Sequence, residues 1–382
     1  MTACEHYFAF EKRRSENPWL DFLRSLAIAF VLARHGQRAF LAYREQDAHG
    51  LDLIMINGWV GVDLFLVLSG YLIATNLIRT PRQHRFRSLS NYLFRRAMRI
   101  LPAYYAALFL TVAGVFPLYE FSNENLLQRI AYHVLFLQDY FPSDINVTFW
   151  SLGVEEKFYL MAPMIVAIFA ALKRSFSFLI FCSFLISISP LLRTLVYFDM
   201  ETDIDYAEFW RVFRSPFHAV LEPLCLGVIV AMIRDRDYLT VNTKMAKLLL
   251  LSSLLVMLAW LATHELMAEI TLIDITIQPL LLAAVFAVAV FAGSALSTSH
   301  IPGEAFFRVI ARLSFTLYLV HYPLLPFSIA LTSLSGGSAG AFWAVFLSLS
   351  LLWAILLHFA IEKPFLMARD AFGQRGLLSQ KA

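Results

Sequence analysis

LDFLRSLAIAFVLARHGQRAFL, residues 20 to 41, reads as a membrane helix, yet it carries Arg24 and His35 where such a helix ordinarily carries neither. The two are separated by ten residues. At ~100° per residue they lie within about 20° of three whole turns, so both project from one helix face, roughly 16 Å apart along the axis. Ionisable groups inside a membrane are costly, face a cavity or bundle interior, and mark candidate functional sites. The bland reading is a snorkelling arginine and a hydrogen-bonded structural histidine.

Composition fixes the class. Hydrophobic residues make up 59% of the 382, charged residues only 15%, and mean hydropathy is +0.65. A soluble domain carries about 25% charge. The expectation is an all-α, polytopic integral membrane protein. Cys4, Cys182 and Cys225 are odd in number and scattered, so they form neither a disulfide framework nor a metal-ligand spacing. The charged first 19 residues lack an apolar run followed by a cleavage site, so the first helix is expected to serve as an uncleaved anchor.

Apolar runs able to span fall near 20 to 41, 58 to 78, 100 to 117, 151 to 172, 176 to 197, 217 to 233, 246 to 263, 273 to 293, 309 to 330 and 341 to 361. Ten helices put both termini on one side. On that side lie 23 of the 31 lysines and arginines, so both termini are expected in the cytoplasm. The expected division is one transmembrane domain over 1–382, with tails 1–19 and 366–382 around a helical core 20–365. No repeat or low-complexity segment interrupts it. The outer loop 118–149, with an apolar patch before Asp139, Pro142 and Asp144, reads as an interfacial segment or a lid. A second loop, 198–216, mixes Asp199, Glu201, Asp203, Asp205 and Glu208 with Tyr206, Phe209, Trp210, Arg211 and Arg214. It reads as a solvated polar loop, though acidic and aromatic groups together also suit a carbohydrate.

Depth arithmetic brings polar groups together. Counted from the cytoplasmic end of the first helix, His35 lies roughly 8 Å below the outer surface of a ~30 Å core. Helices two and four run the other way and put Asp63, Glu155 and Glu156 about 6 to 8 Å below that surface, just under Ser151. A histidine and three carboxylates are therefore expected on one level. An imidazole steadied by a carboxylate is a good general base near neutral pH. On the inner side, RTPRQHRFRSLSNYLFRRAMRIL (79 to 101) brings Arg95, Arg96 and Arg99 into one guanidinium patch at i, i+3 and i, i+4, suited to phosphate oxygens. Arg82, Arg85 and Arg87 read as ordinary positive-inside charge.

Five segments also carry a resemblance. LDFLRSLAIAFVLARH (20 to 35), GWVGVDLFLVLSGYLIA (58 to 74), RRAMRILPAYY (95 to 105), WSLGVEEKFYLMAP (150 to 163) and SFTLYLVHYPLL (314 to 325), closed by IEKPF (361 to 365), are similar to the membrane acyltransferase 3 family. Its members are bacterial O-acyltransferases acting on envelope polysaccharides, Nod-factor-like oligosaccharides and some antibiotics. The resemblance implies ten helices and cytoplasmic acyl-CoA, usually acetyl-CoA, as co-substrate with no tightly bound cofactor or metal. The family's arginine and histidine fall on Arg24 and His35, its basic motif on Arg95, Arg96 and Arg99, and its glutamates on Glu155 and Glu156. Phe22 and Ser25 replace usual glycines, which implies looser packing of the first helix. Lys157 replaces a usual glutamine and is expected to pair with a glutamate. The chain ends soon after Glu362, so the hydrolase-like extension of some relatives is not expected.

The resulting expectation is O-acyl transfer, with acyl-CoA phosphates on Arg95, Arg96 and Arg99, and on Arg24 as well. Ser69 and Gly70 would line the thioester arm. His35, oriented by Asp63 or by Glu155 and Glu156, would act as base, with an acyl-histidine intermediate as the minor variant. Ser151, Tyr159, Tyr318 and His321 would line the acceptor side. The acceptor is expected to be a glycan hydroxyl; a small molecule or a lipid is the alternative. The bilayer is the other partner, nucleic acid is not one, and oligomerisation is left open. Two other classes compete, a proton-coupled transporter and a non-catalytic scaffold; free CoA release against substrate uptake separates the first from the enzyme.

Single cysteines placed at Asn123 and Ser335 should react with an impermeant thiol reagent in intact cells, and cysteines at Ser88 and Ser379 should not. Labelling at Ser88 would overturn the orientation.

Overall fold

The computed structural model describes residues 17–79, 85–141, 144–172, 176–200, 204–264, 270–334 and 336–378. Cys4, Arg82, Pro142, Lys173, Arg174, Glu201 and Asp203 lie outside the described residues, as do the side chains of Arg85 and Arg87. Among those described, the chain is helical with no strand.

Helix α1, Pro18–Arg44, starts where the Asn17 side chain accepts from the Trp19 amide (3.0 Å) with Pro18 in the first turn. It stops where Glu45 turns left-handed. Helix α2 covers Leu51–Ile78, tightening to a 3-10 turn at Asn57–Trp59. Then come α3 (Arg85–Val112), the short α4 (Leu126–Val134), α5 (Trp150–Ala171), α6 (Phe176–Asp199) and α7 (Leu221–Asp235). Helices α8 (Thr243–Thr263), α9 (Leu272–Ala295), α10 (Glu304–Val320), α11 (Leu325–Leu334), α12 (Ala339–Leu357) and α13 (Lys363–Leu378) complete the chain. The segment beyond residue 365 therefore carries helix almost to its end.

Every expected apolar run is helical, but among the described residues five helices are long and apolar enough to cross a membrane: α2, α6, α8, α9 and Ala339–Phe372. Helices α10 and α11, bent by 63° at a short break, make a sixth if taken as one span. Charge and length explain the difference from ten. Helices α1, α3 and α5 carry Arg24 and Arg34, Arg95 to Arg99, and Glu155 to Lys157, and α7 has 15 residues. The helices that dilute their apolar surface are largely those that line the pockets described below.

Helix α2 is the centre of the bundle. A Cβ on Gly61 would lie 2.4 Å from the Ala27 carbonyl oxygen, and one on Gly70 would lie 2.1 Å from that of Leu224. Gly227 answers from α7, where a Cβ would meet the Val67 oxygen at 2.2 Å. Only glycines let these backbones touch, the small-residue device of packed membrane helices. Gly70 thus serves the α2–α7 crossing and lines neither of the two pockets described below, in contrast to its expected place on a cavity wall. The first helix does not pack loosely at its departures either. The Ser25 hydroxyl lies 2.8 Å from the Asp21 oxygen and 2.9 Å from the Phe307 oxygen, and Phe22 meets Phe307 edge-on at 5.1 Å.

Candidate active site

Two pockets meet at Val62 and Tyr318, which line both. The narrower, of about 90 Å³, holds Arg24, Arg96, Arg99, Ser69 and Glu155. The wider, of about 740 Å³, holds His35, Arg34, Arg38, Tyr206 and Trp210. Arg24 and His35 stand on α1 with one in each pocket. Tyr318 is pinned between them: it hydrogen bonds the Ser151 hydroxyl at 2.7 Å and donates to the Thr148 carbonyl at 2.5 Å.

The arginine cavity is built by helical periodicity. Ser151, Glu155 and Tyr159 recur every four residues on α5 and so share one face. Ser69 donates to Glu155 Oε1 at 2.6 Å, and the Tyr159 hydroxyl donates to Oε2 at 3.2 Å. The Arg96 guanidinium lies 5.1 Å above the Tyr159 ring. Tyr159 therefore belongs with the arginines rather than with an acceptor. Arg95 leaves the expected patch: it is exposed and faces Asp370 at 3.8 Å. Glu156 points off the shared face, and its buried Oε1 has no hydrogen-bond partner in the protein.

In the wider pocket the hydrogen bonds settle a tautomer. His321 Nδ1 faces only acceptors, the Leu317 oxygen at 3.1 Å and the Tyr318 oxygen at 2.9 Å, so it carries the proton. Its Nε2 is then a lone pair, and the contact of 2.8 Å to His35 Nδ1 makes His35 the donor. That leaves His35 Nε2 unprotonated, making no hydrogen bond within the protein, in a pocket its ring lines. A neutral histidine fixed in this state is a ready proton acceptor. His321 is fully buried behind His35 and lines neither pocket.

The expected level of carboxylates around His35 does not form. Asp63 is fully buried and binds Arg214 through both oxygens, at 2.7 and 2.9 Å. Glu155 faces the arginine cavity. Depth along a helix follows from the rise per residue, whereas rotation about its axis is set by neighbours: Asp63 has turned to Arg214 and Glu155 to Ser69. Lys157 likewise pairs with Asp139 Oδ1 at 2.5 Å and not with a glutamate. Burial pushes the Asp139 carboxyl up from its ordinary value, against the pull of Lys157.

Arg34, Arg38, Tyr206 and Trp210 were not marked as site residues by the sequence reading. The signal was there, since Arg34 and Arg38 flank His35 within one apolar run at i, i+4 spacing. Both loops contribute walls: 138–148 supplies Asp139, Asp144 and Thr148, and 206–215 supplies Tyr206, Trp210 and Arg211.

A membrane-type helical bundle holding a bare histidine nitrogen one tyrosine away from three guanidinium groups is a plausible frame for group transfer. The family's sequence model, described as an acyltransferase domain, matches residues 17–359, and the chain belongs to the membrane acyltransferase 3 family. A Bacillus subtilis protein named "Putative peptidoglycan O-acetyltransferase YrhL" is 26% identical over 381 residues, covering 91% of this chain and 54% of that protein. The peptidoglycan O-acetyltransferase OatA of Listeria monocytogenes is 28% identical over 165 residues, 40% of this chain and 24% of its own length. The chain thus spans about half or less of the curated relatives it matches. No solved structure matches.

Asp63→Ala should lower stability by about 3–5 kcal/mol, because it strands the buried Arg214 guanidinium. The check is the detergent melting temperature and the yield of monodisperse protein. A variant that melts like the wild type yet loses activity would return Asp63 to the chemistry.

Proposed function

We propose that this chain is a membrane-bound O-acyltransferase that moves an acyl group, acetyl in the first instance, from cytoplasmic acyl-CoA to a hydroxyl of a cell-envelope or secreted glycan. The observation that carries the reading is the His35 Nε2, left bare by the His321 bond, in a pocket that shares Tyr318 with the arginine cavity. The names of relatives that act on peptidoglycan support a glycan acceptor. In this reading each of the ten helical runs crosses the inner membrane with both termini in the cytoplasm, supported by the 23 of 31 basic residues on that side.

Donor phosphates bind Arg24, Arg96 and Arg99, whose forks suit phosphoryl oxygens. Tyr318 swings from Ser151 as the thioester end passes. His35 Nε2 takes the acceptor hydroxyl proton while the oxygen attacks the thioester carbonyl carbon. The tetrahedral intermediate collapses, the carbon–sulfur bond breaks, and the imidazolium returns its proton to the CoA thiolate. Ester and CoA leave on opposite sides. His321 accepts the Nδ1–H of His35 throughout and keeps the ring oriented.

His35→Ala should reduce acetyl transfer by 10²-fold or more through kcat, with CoA affinity near wild type. Arg99→Gln should raise KM for acetyl-CoA with a smaller change in kcat, and Arg99→Lys should recover part, since it keeps charge but loses the fork. The measurements are initial rates of CoA release and calorimetric CoA binding. More than a tenth of wild-type activity in His35→Ala, or wild-type CoA affinity in Arg99→Gln, would contradict the assignment.

A further inference from the structure

Five side chains with fixed charge line the histidine pocket, and their balance is one-sided. Both carboxylates are neutralised from outside the lining: Asp139 by Lys157 at 2.5 Å and Asp144 by Arg129. Arg211 is largely exposed and faces Glu208 at 3.6 Å. Arg34 and Arg38 have no carboxylate within ion-pair distance among the described residues. Arg34 is only 5% exposed; one of its nitrogens donates to the Ile56 carbonyl at 2.6 Å and another to the Tyr206 hydroxyl. Arg38 lies 4.4 Å above the same tyrosine ring. Neutral partners orient a guanidinium without cancelling its charge, and a buried uncompensated cation is costly to hold.

Trp59 and Trp210 line the same space. Arg34 and Arg38 stand one turn apart on α1, with His35 within that turn, so an anion held by them lies within about one 5.4 Å helical pitch of the base along the axis.

We propose that the acceptor is an anionic glycan, whose carboxylate or phosphate oxygens are held by Arg34 and Arg38 and whose charged group is on, or next to, the sugar that is acylated. The side chains of Trp59 and Trp210 wall the sugar's side of the pocket, and Tyr206 keeps both guanidinium groups aimed. This rests on the reading of the histidine pocket as the acceptor side.

The test uses the full chain in lipid nanodiscs and reads binding by intrinsic tryptophan fluorescence, since Trp59, Trp150 and Trp210 line the pocket. The probes are methyl glucuronoside, glucose 1-phosphate and methyl glucoside. At least one anionic probe should bind ten-fold or more tightly than methyl glucoside, and the tighter of the two anions assigns carboxylate or phosphate. Arg38→Gln, at an exposed position that puts folding at little risk, should erase most of that difference, and Arg38→Lys should keep part of it. Equal binding of all three probes, no binding of any, or unchanged anion affinity in Arg38→Gln overturns the proposal. Acetylation from acetyl-CoA is scored separately. Equal transfer to neutral and anionic glycosides leaves acyl transfer standing and removes the anion site. Selective anion binding with no acetyl-CoA turnover on any probe does the reverse.

Discussion

A charge taken out of water into a packed bundle must be met by an opposite charge, by hydrogen bonds or by a ligand. That constraint arranges this molecule. Asp63 is met by Arg214, Glu222 by Arg193 at 2.7 Å, and Asp139 by Lys157. These pairs tie α2 to the loop before α7, α6 to α7, and the 118–149 loop to α5. Glycine contacts at Gly61, Gly70 and Gly227 bring α2 against α1 and α7. Other arginines face the two pockets, Arg24, Arg96 and Arg99 on one side of Tyr318 and Arg34 and Arg38 on the other.

The histidine relay follows a different logic from a carboxylate-held imidazole. A carboxylate would steady the imidazolium and prolong its life; a neutral His321 ring fixes the tautomer but supplies no compensating charge. In the proposed transfer the proton would pass from the hydroxyl to His35 and on to the thiolate as one short sequence.

Much of this was legible in the residues. Helical geometry put Arg24 and His35 on one face of the first helix, and the structure sets them in separate pockets along it. The apolar runs announced their helices, because lipid-length hydrophobic segments have few other folds. What failed was azimuth. The same arithmetic that set depths for Asp63, Glu155 and Glu156 gave no information about which neighbour each faced, and that depended on Arg214 and Ser69, remote in sequence. Gly70 read as ligand lining, but the Leu224 backbone lies against it. Arg95 and Arg99 shared a patch on paper, but Arg95 faces Asp370 in the final helix. Tyr206 and Trp210 lay in a loop whose acidic and aromatic mix suited a carbohydrate, but nothing local told that it folds back beside His35.

The central claim is that donor and acceptor meet through the bundle from opposite faces, joined at Val62 and Tyr318. It is tested most directly in sealed proteoliposomes loaded with acetyl-CoA and supplied outside with membrane-impermeant glycosides, both neutral and anionic. The account predicts acetylated glycoside outside and free CoA inside, both lost in His35→Ala. Ester formed only when acetyl-CoA and glycoside share one compartment would contradict it.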